Sequence, residues 1–173
     1  MNIRSIRLAL FLSLIMCFET SAQSFGQNKV QYKVFDWNYI QTSHFDIYYY
    51  DGEQDLAEFV ADVAEDSYEQ ISIHLRWNLK NRVSIMVYNS HNEFQQTNIV
   101  RPYMREGVGG VTELFKNRVV FPFEGNYEQF RHVIHHELVH AMINDMIYGG
   151  RMQNIISSRA KIRVPIWSNE GLA

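Results

Sequence analysis

Apolar and polar positions change period several times along this chain, and each change marks an element. From Phe45 to Tyr50 they alternate, putting Phe45, Ile47 and Tyr49 on one side, as in a half-buried strand. Over residues 53–75 the period lengthens to that of a helix. Leu56, Phe59, Val60, Val63, Ala64 and Ile71 gather on one face there. Asp55, Glu58, Asp62, Glu65, Asp66 and Glu69 occupy the other and read as a solvated face. Arg82–Tyr88 predicts a second strand, His91–Asn98 a short helix and Arg118–Phe123 a third strand.

A second long helix is expected over 127–147. Asn126 is a favoured N-cap, and Gln129 stands three residues on, the spacing of a capping box. Phe130, Val133, Ile134, Leu138, Ala141 and Met142 make its apolar stripe, and Gly149-Gly150 supplies a stop. Strands interleaved with two long amphipathic helices predict an α+β fold, a small mixed sheet packed on the 127–147 helix. Residues 23–36 read as a polar leader into a domain spanning 37–173.

Composition adds bounds. With 173 residues and 46% hydrophobic content, the chain suits one domain with a substantial core. No block of basic residues points to nucleic acid, and the formal charge of −3 says little about partners. Arg4 and Arg7 precede the apolar run Leu8–Phe18, and Thr20-Ser21-Ala22 offers small residues for cleavage before Gln23. That is the pattern of a signal peptide over 1–22. The run is shorter than the ~20 residues of an ordinary membrane-spanning helix; an uncleaved anchor is the alternative. Cys17 is the single cysteine and would leave with the signal; Met16 before it is too large for a lipoprotein cleavage box. Export to the periplasm or the extracellular space is therefore expected, with attachment at the outer membrane as a variant.

The chemistry concentrates in His135-His136-Glu137-Leu138-Val139-His140, which contains HExxH. Residues four apart share a helix face, so His136 and His140 can grip one metal ion. Glu137 lies about 100° around the helix from His136 and can border the metal without ligating it. Catalytic zinc typically has three protein ligands and an open water position. Glu170, in Trp167-Ser168-Asn169-Glu170-Gly171-Leu172-Ala173, could supply the third. The alternative is a core helix carrying two buried, hydrogen-bonded histidines. His132, one turn before His136, could support a ligand or simply face solvent.

HHELVHAM at 135–142 and PIWSNEGLA at 165–173 resemble the gluzincin branch of zinc peptidases, specifically the peptidase MA-like domains of bacterial secreted proteins. HFDIYYY at 44–50, VSIMVYNSHNEFQQTN at 83–98 and GVGGVTELFKNRVVFPF at 107–123 are similar to the same group, so the resemblance spans about 40–173. It implies a zincin-like fold, the thermolysin-like N-terminal subdomain. It also implies Zn2+ as cofactor, His136, His140 and Glu170 as its ligands, Glu137 as catalytic base, and a peptide or protein as substrate. Trp167, Asn169, Gly171 and Ala173 match the surroundings of the gluzincin glutamate. Such domains often precede a TolB-like β-propeller, which the resemblance implies beyond Ala173, with association in the cell envelope.

Departures from the family pattern accompany the match. The stretch between His140 and Glu170 holds 29 residues, longer than in the familiar aminopeptidases and thermolysin-like enzymes. The aminopeptidase signature is not evident. The sequence ends three residues after Glu170, before the tyrosine or histidine that stabilises the oxyanion in gluzincins. A helix starting near Pro165 would hold Glu170 without a closing cap; the expectation is a fragment whose C-terminal part is missing.

Glycine-rich extended backbone beside a gluzincin site often belongs to the edge strand that pairs with a peptide substrate. Gly109, Gly110 and Val111 would be the centre of that strand here; an ordinary turn over Gly107–Thr112 fits the glycines equally. Two other functions stay open. One is a non-catalytic zinc-binding or protein-binding module of a larger envelope protein. The other is a structural zinc site, although those usually use cysteines.

Overall fold

The computed structural model describes residue 29 and residues 31–50, 52–98, 107–113 and 117–149. The expected signal segment 1–22 with Cys17, the helix expected from near Pro165, and Glu170 lie outside the described residues. In chain order the elements are β1 (Asn38–Gln41), β2 (Phe45–Tyr49), α1 (Gln54–Leu75), β3 (Val83–Tyr88), α2 (His91–Phe94), β4 (Val111–Glu113), β5 (Arg118–Pro122) and α3 (Tyr127–Tyr148). The fold is α+β with one small mixed sheet, in the order β1-β2-β3-β5-β4. β2, β3 and β5 run parallel, while β1 and β4 are antiparallel at the two edges.

Alternation along the strands sorts their side chains onto two faces. Phe45, Ile47, Val83, Ile85, Val87, Val119 and Phe121 point to the face covered by α1 and α3 and form the main core with the apolar stripes of both helices. The predicted stripe residues of both helices are buried, except Phe59 and Val133, which pack partly exposed against that core. The capping of α3 follows its sequence. Asn126 accepts a hydrogen bond from the Gln129 backbone N–H at 3.0 Å, and Gly149 closes the helix in the left-handed region at φ 62°.

The opposite face carries a second, aromatic cluster. Tyr50, Tyr88, Phe94 and Val120 are buried there, with Phe35 and Trp37 laid over them. The rings of Phe35 and Trp37 both meet Tyr88 edge-on with centroids 5.4 Å apart. Phe35, within the stretch 23–36 that reads as a polar leader, and Trp37, at the start of the expected domain, thus cover the second face of the sheet. Tyr32 and Lys33 donate backbone N–H groups to the Gln96 side chain, and the Lys33 ammonium pairs with Glu93 at 2.8 Å. A polar composition concealed this because only two residues of the segment, both aromatic, carry the packing.

Three further differences from the sequence reading stand out. β1 exists, although its mostly exposed residues show no clear alternation; it is held by pairing with β2, with Ile40 packing on the main core. The strand near the glycines begins at Val111 and extends to Glu113, with Gly109 and Gly110 leading into it rather than at its centre. The acidic face of α1 is solvated except at Glu65, whose carboxylate turns back to His44 and accepts hydrogen bonds from its ring Nδ1 at 2.6 Å and its backbone N–H at 2.9 Å.

Candidate metal centre

The HExxH sequence occupies the middle of α3, seven or more residues from either helix end, where every backbone group is bonded within the helix. His136 and His140 stand one turn apart on one face, and their Nε2 atoms approach to 3.1 Å with the rings perpendicular. His140 is 8% exposed and His136 half-buried, so the pair sits at the boundary between core and solvent. Zn–N bonds of ~2.0–2.1 Å to both atoms would close at an angle of about 100°, close to tetrahedral. The two imidazoles therefore fit a shared zinc ion. Among the described residues, no group of three histidine, cysteine, aspartate or glutamate side chains is arranged to hold a metal. The third ligand expected from the sequence, Glu170, lies outside them.

Glu137 leaves the histidine face and points under the edge strand, 9% exposed. Its Oε2 lies 2.6 Å from the Thr112 hydroxyl, which is also 3.0 Å from the Glu137 carbonyl oxygen. Gly110 lies so close that a Cβ there would stand 2.8 Å from Glu137 Cγ and 2.9 Å from the Phe121 ring. Gly109 is pressed in the same way against Val133, 2.9 Å from an added Cβ. These glycines admit the strand backbone to the helix, a requirement that a turn reading of the segment does not contain.

Between the segment leading into β4 and α3 opens a cavity of about 490 Å³, bounded by Val108, Gly109 and Gly110 on one side and by His132, Val133, His136 and Glu137 on the other. His135 also borders it. Burial pushes the His135 imidazole below its ordinary pKa, and the neighbouring His132, His74 and His136 add to the effect. Another concavity, about 440 Å³, lies over the aromatic face of the sheet beside Trp37 and Arg118. It contains no histidine, and the chemistry favours the α3 cavity.

The structure thus brings His136, Glu137, Gly109 and Gly110 to one cavity, with His140 against His136 and Val111 beginning the strand that follows the glycines. Thr112 is the residue that the sequence does not single out. Its partner across the sheet, Val119, faces the helices, whereas Val111 and Glu113 oppose Val120 and Arg118. Strand parity then directs only Thr112 of this strand toward α3, a signal visible once the strand is set at 111–113. No family model matches the chain, and comparison with curated proteins and with solved structures returns no match.

Proposed function

We propose that this chain is the peptidase domain of an exported zinc metallopeptidase of the gluzincin type, with a zincin-like fold. The observation that carries the reading is the approach of the His136 and His140 Nε2 atoms to 3.1 Å, with His136 and the adjacent Glu137 lining one cavity next to an edge strand. Burial of a carboxylate with an open cavity on one side suits a general base better than a surface charge. The N-terminal signal pattern supports export, and the WSNEGLA segment supports Glu170 as third ligand.

His136, His140 and Glu170 would hold the metal. Zinc bound there supplies Lewis acidity, bringing the pKa of a bound water toward ~7 and polarising the scissile carbonyl. Glu137 takes the proton of the attacking water and returns it to the leaving amine. β4 has β5 on one side and no strand on the other among the described residues, so a peptide can add to the sheet along that edge. Gly109 and Gly110 keep its approach free of side chains, and Val111 begins the pairing surface.

Zinc per chain in the folded full-length protein, measured beside Glu170→Ala, tests the reading. About one zinc in the wild type, lost or much weakened in the variant, is expected. A folded wild type without zinc would leave a histidine pair that merely hydrogen-bonds at the core boundary. Cleavage of a mixed peptide library by the zinc-loaded protein then separates an enzyme from a zinc-holding binding module.

A further inference from the structure

The Glu137 carboxylate has two oxygens in different surroundings. Oε2 is 2.6 Å from the Thr112 hydroxyl, a separation typical of a charge-assisted O–H···O⁻ bond. Oε1 makes no hydrogen bond to a described residue, and Glu137 lines the cavity shared with His136. Resting on the peptidase reading above, we propose that Thr112 is a positioning residue for Glu137: its hydroxyl anchors Oε2 and so leaves Oε1 to take the proton.

The geometry supports a dedicated role over incidental packing. A threonine hydroxyl has a single proton, and of its two acceptors the carboxylate is nearer, at 2.6 Å against 3.0 Å for the Glu137 carbonyl. That carbonyl lies within α3, where the helix already supplies it with a donor. Glu137 has three side-chain torsions, and without an anchor its carboxylate could swing away from the metal face. Gly110 stands against Cγ and limits the stem of the side chain, while Thr112 fixes its end. Because Thr112 belongs to β4, the strand that would receive substrate also holds the base.

Thr112→Val keeps the shape and β-branching and removes only the hydroxyl; Thr112→Ser keeps the hydroxyl and removes the methyl. Both are prepared zinc-loaded in the full-length protein. Zinc content is measured, then calorimetric affinity for acetohydroxamic acid, whose zinc-bound form needs an oriented carboxylate beside it. kcat and KM follow on the quenched fluorescent peptide that the wild type cleaves fastest. In Thr112→Val, zinc should stay at about one per chain. The hydroxamate Kd should weaken about tenfold, and kcat should fall about tenfold to a hundredfold with KM within about twofold. Thr112→Ser should recover both to within about threefold of the wild type. Wild-type hydroxamate affinity and kcat in Thr112→Val, with zinc bound, would overturn the positioning role alone, as would equal losses in the valine and serine variants. A folded wild type without zinc would overturn this role and the peptidase reading together.

Discussion

Replacing Gly110 with alanine should cost stability through one close approach. The added Cβ would meet Glu137 Cγ at 2.8 Å and Phe121 Cδ1 at 2.9 Å, whereas ordinary contact begins at 3.4 Å, so both neighbours must give by about 0.5 Å or more. Phe121 is fully buried, and Glu137, 9% exposed, is tied at its far end to the Thr112 hydroxyl, so both resist displacement. Overpacking of this kind costs about 1–3 kcal/mol. At about 2–4 °C per kcal/mol for a chain of this size, Tm should fall by roughly 2–12 °C. Glu137→Ala removes one of the two clashing groups, so the alanine at 110 should cost about 0.5 kcal/mol less, or better, in that background. Urea and thermal denaturation of the four proteins, followed by circular dichroism, measure the cycle. A Gly110→Ala protein as stable as the wild type, or one equally costly in both backgrounds, would refute the claim that Gly110 and Glu137 are pressed together.

Other consequences follow from single contacts. Glu137→Gln should abolish peptide turnover while zinc stays bound; retained turnover in the zinc-loaded variant would remove Glu137 from the chemistry. Trp77→Phe should cost about 1–3 kcal/mol, because the indole N–H donates at 3.0 Å to Asp145, a carboxylate 1% exposed whose same oxygen is otherwise served by the Lys80 backbone N–H. A urea midpoint unchanged from the wild type would show that bond to be dispensable. Burial alone would raise the Glu65 carboxyl, but hydrogen bonds from His44 and Thr42 outweigh it and hold the group below its usual value. With the folded pKa below the unfolded one, the stabilisation is complete above the ordinary carboxylate range and is lost as pH falls through the lowered value. The stability gap between wild type and Glu65→Gln should therefore be constant near neutrality and close from about pH 5 downward; a gap that does not narrow in acid denaturation series would contradict the assignment.

Much of the scaffold is legible in local pattern. The Gln54–Leu75 and Tyr127–Tyr148 helices and the Phe45–Tyr49, Val83–Tyr88 and Arg118–Pro122 strands lie within a residue or so of where periodicity, the Asn126 cap and the Gly149 stop put them. The short helix is the exception: α2 ends at Phe94, not Asn98, because no apolar repeat beyond Phe94 sustains it. β1 was not legible, since its residues are mostly exposed and pairing, not burial, makes the strand. The role of segment 35–37 was hidden likewise, because aromatic residues in a polar stretch do not announce which surface they will cover.

The sequence by itself determined that two imidazoles and a carboxylate share one helical turn, since helix geometry is local and a four-residue spacing places side chains in any surroundings. It also determined where the long elements run. The tertiary structure alone decided how those groups are used. Thr112 reaches Glu137 across 25 residues, Glu65 reaches His44 across 21, and Trp77 reaches Asp145 across 68. Each bond depends on a strand or loop brought beside a helix by the fold, and the first depends also on the register of β4 on β5. Register converts a one-residue choice into the face a side chain occupies. Val111–Glu113 pairs with β5 so that a hydroxyl, and not a valine or a second carboxylate, meets the buried glutamate.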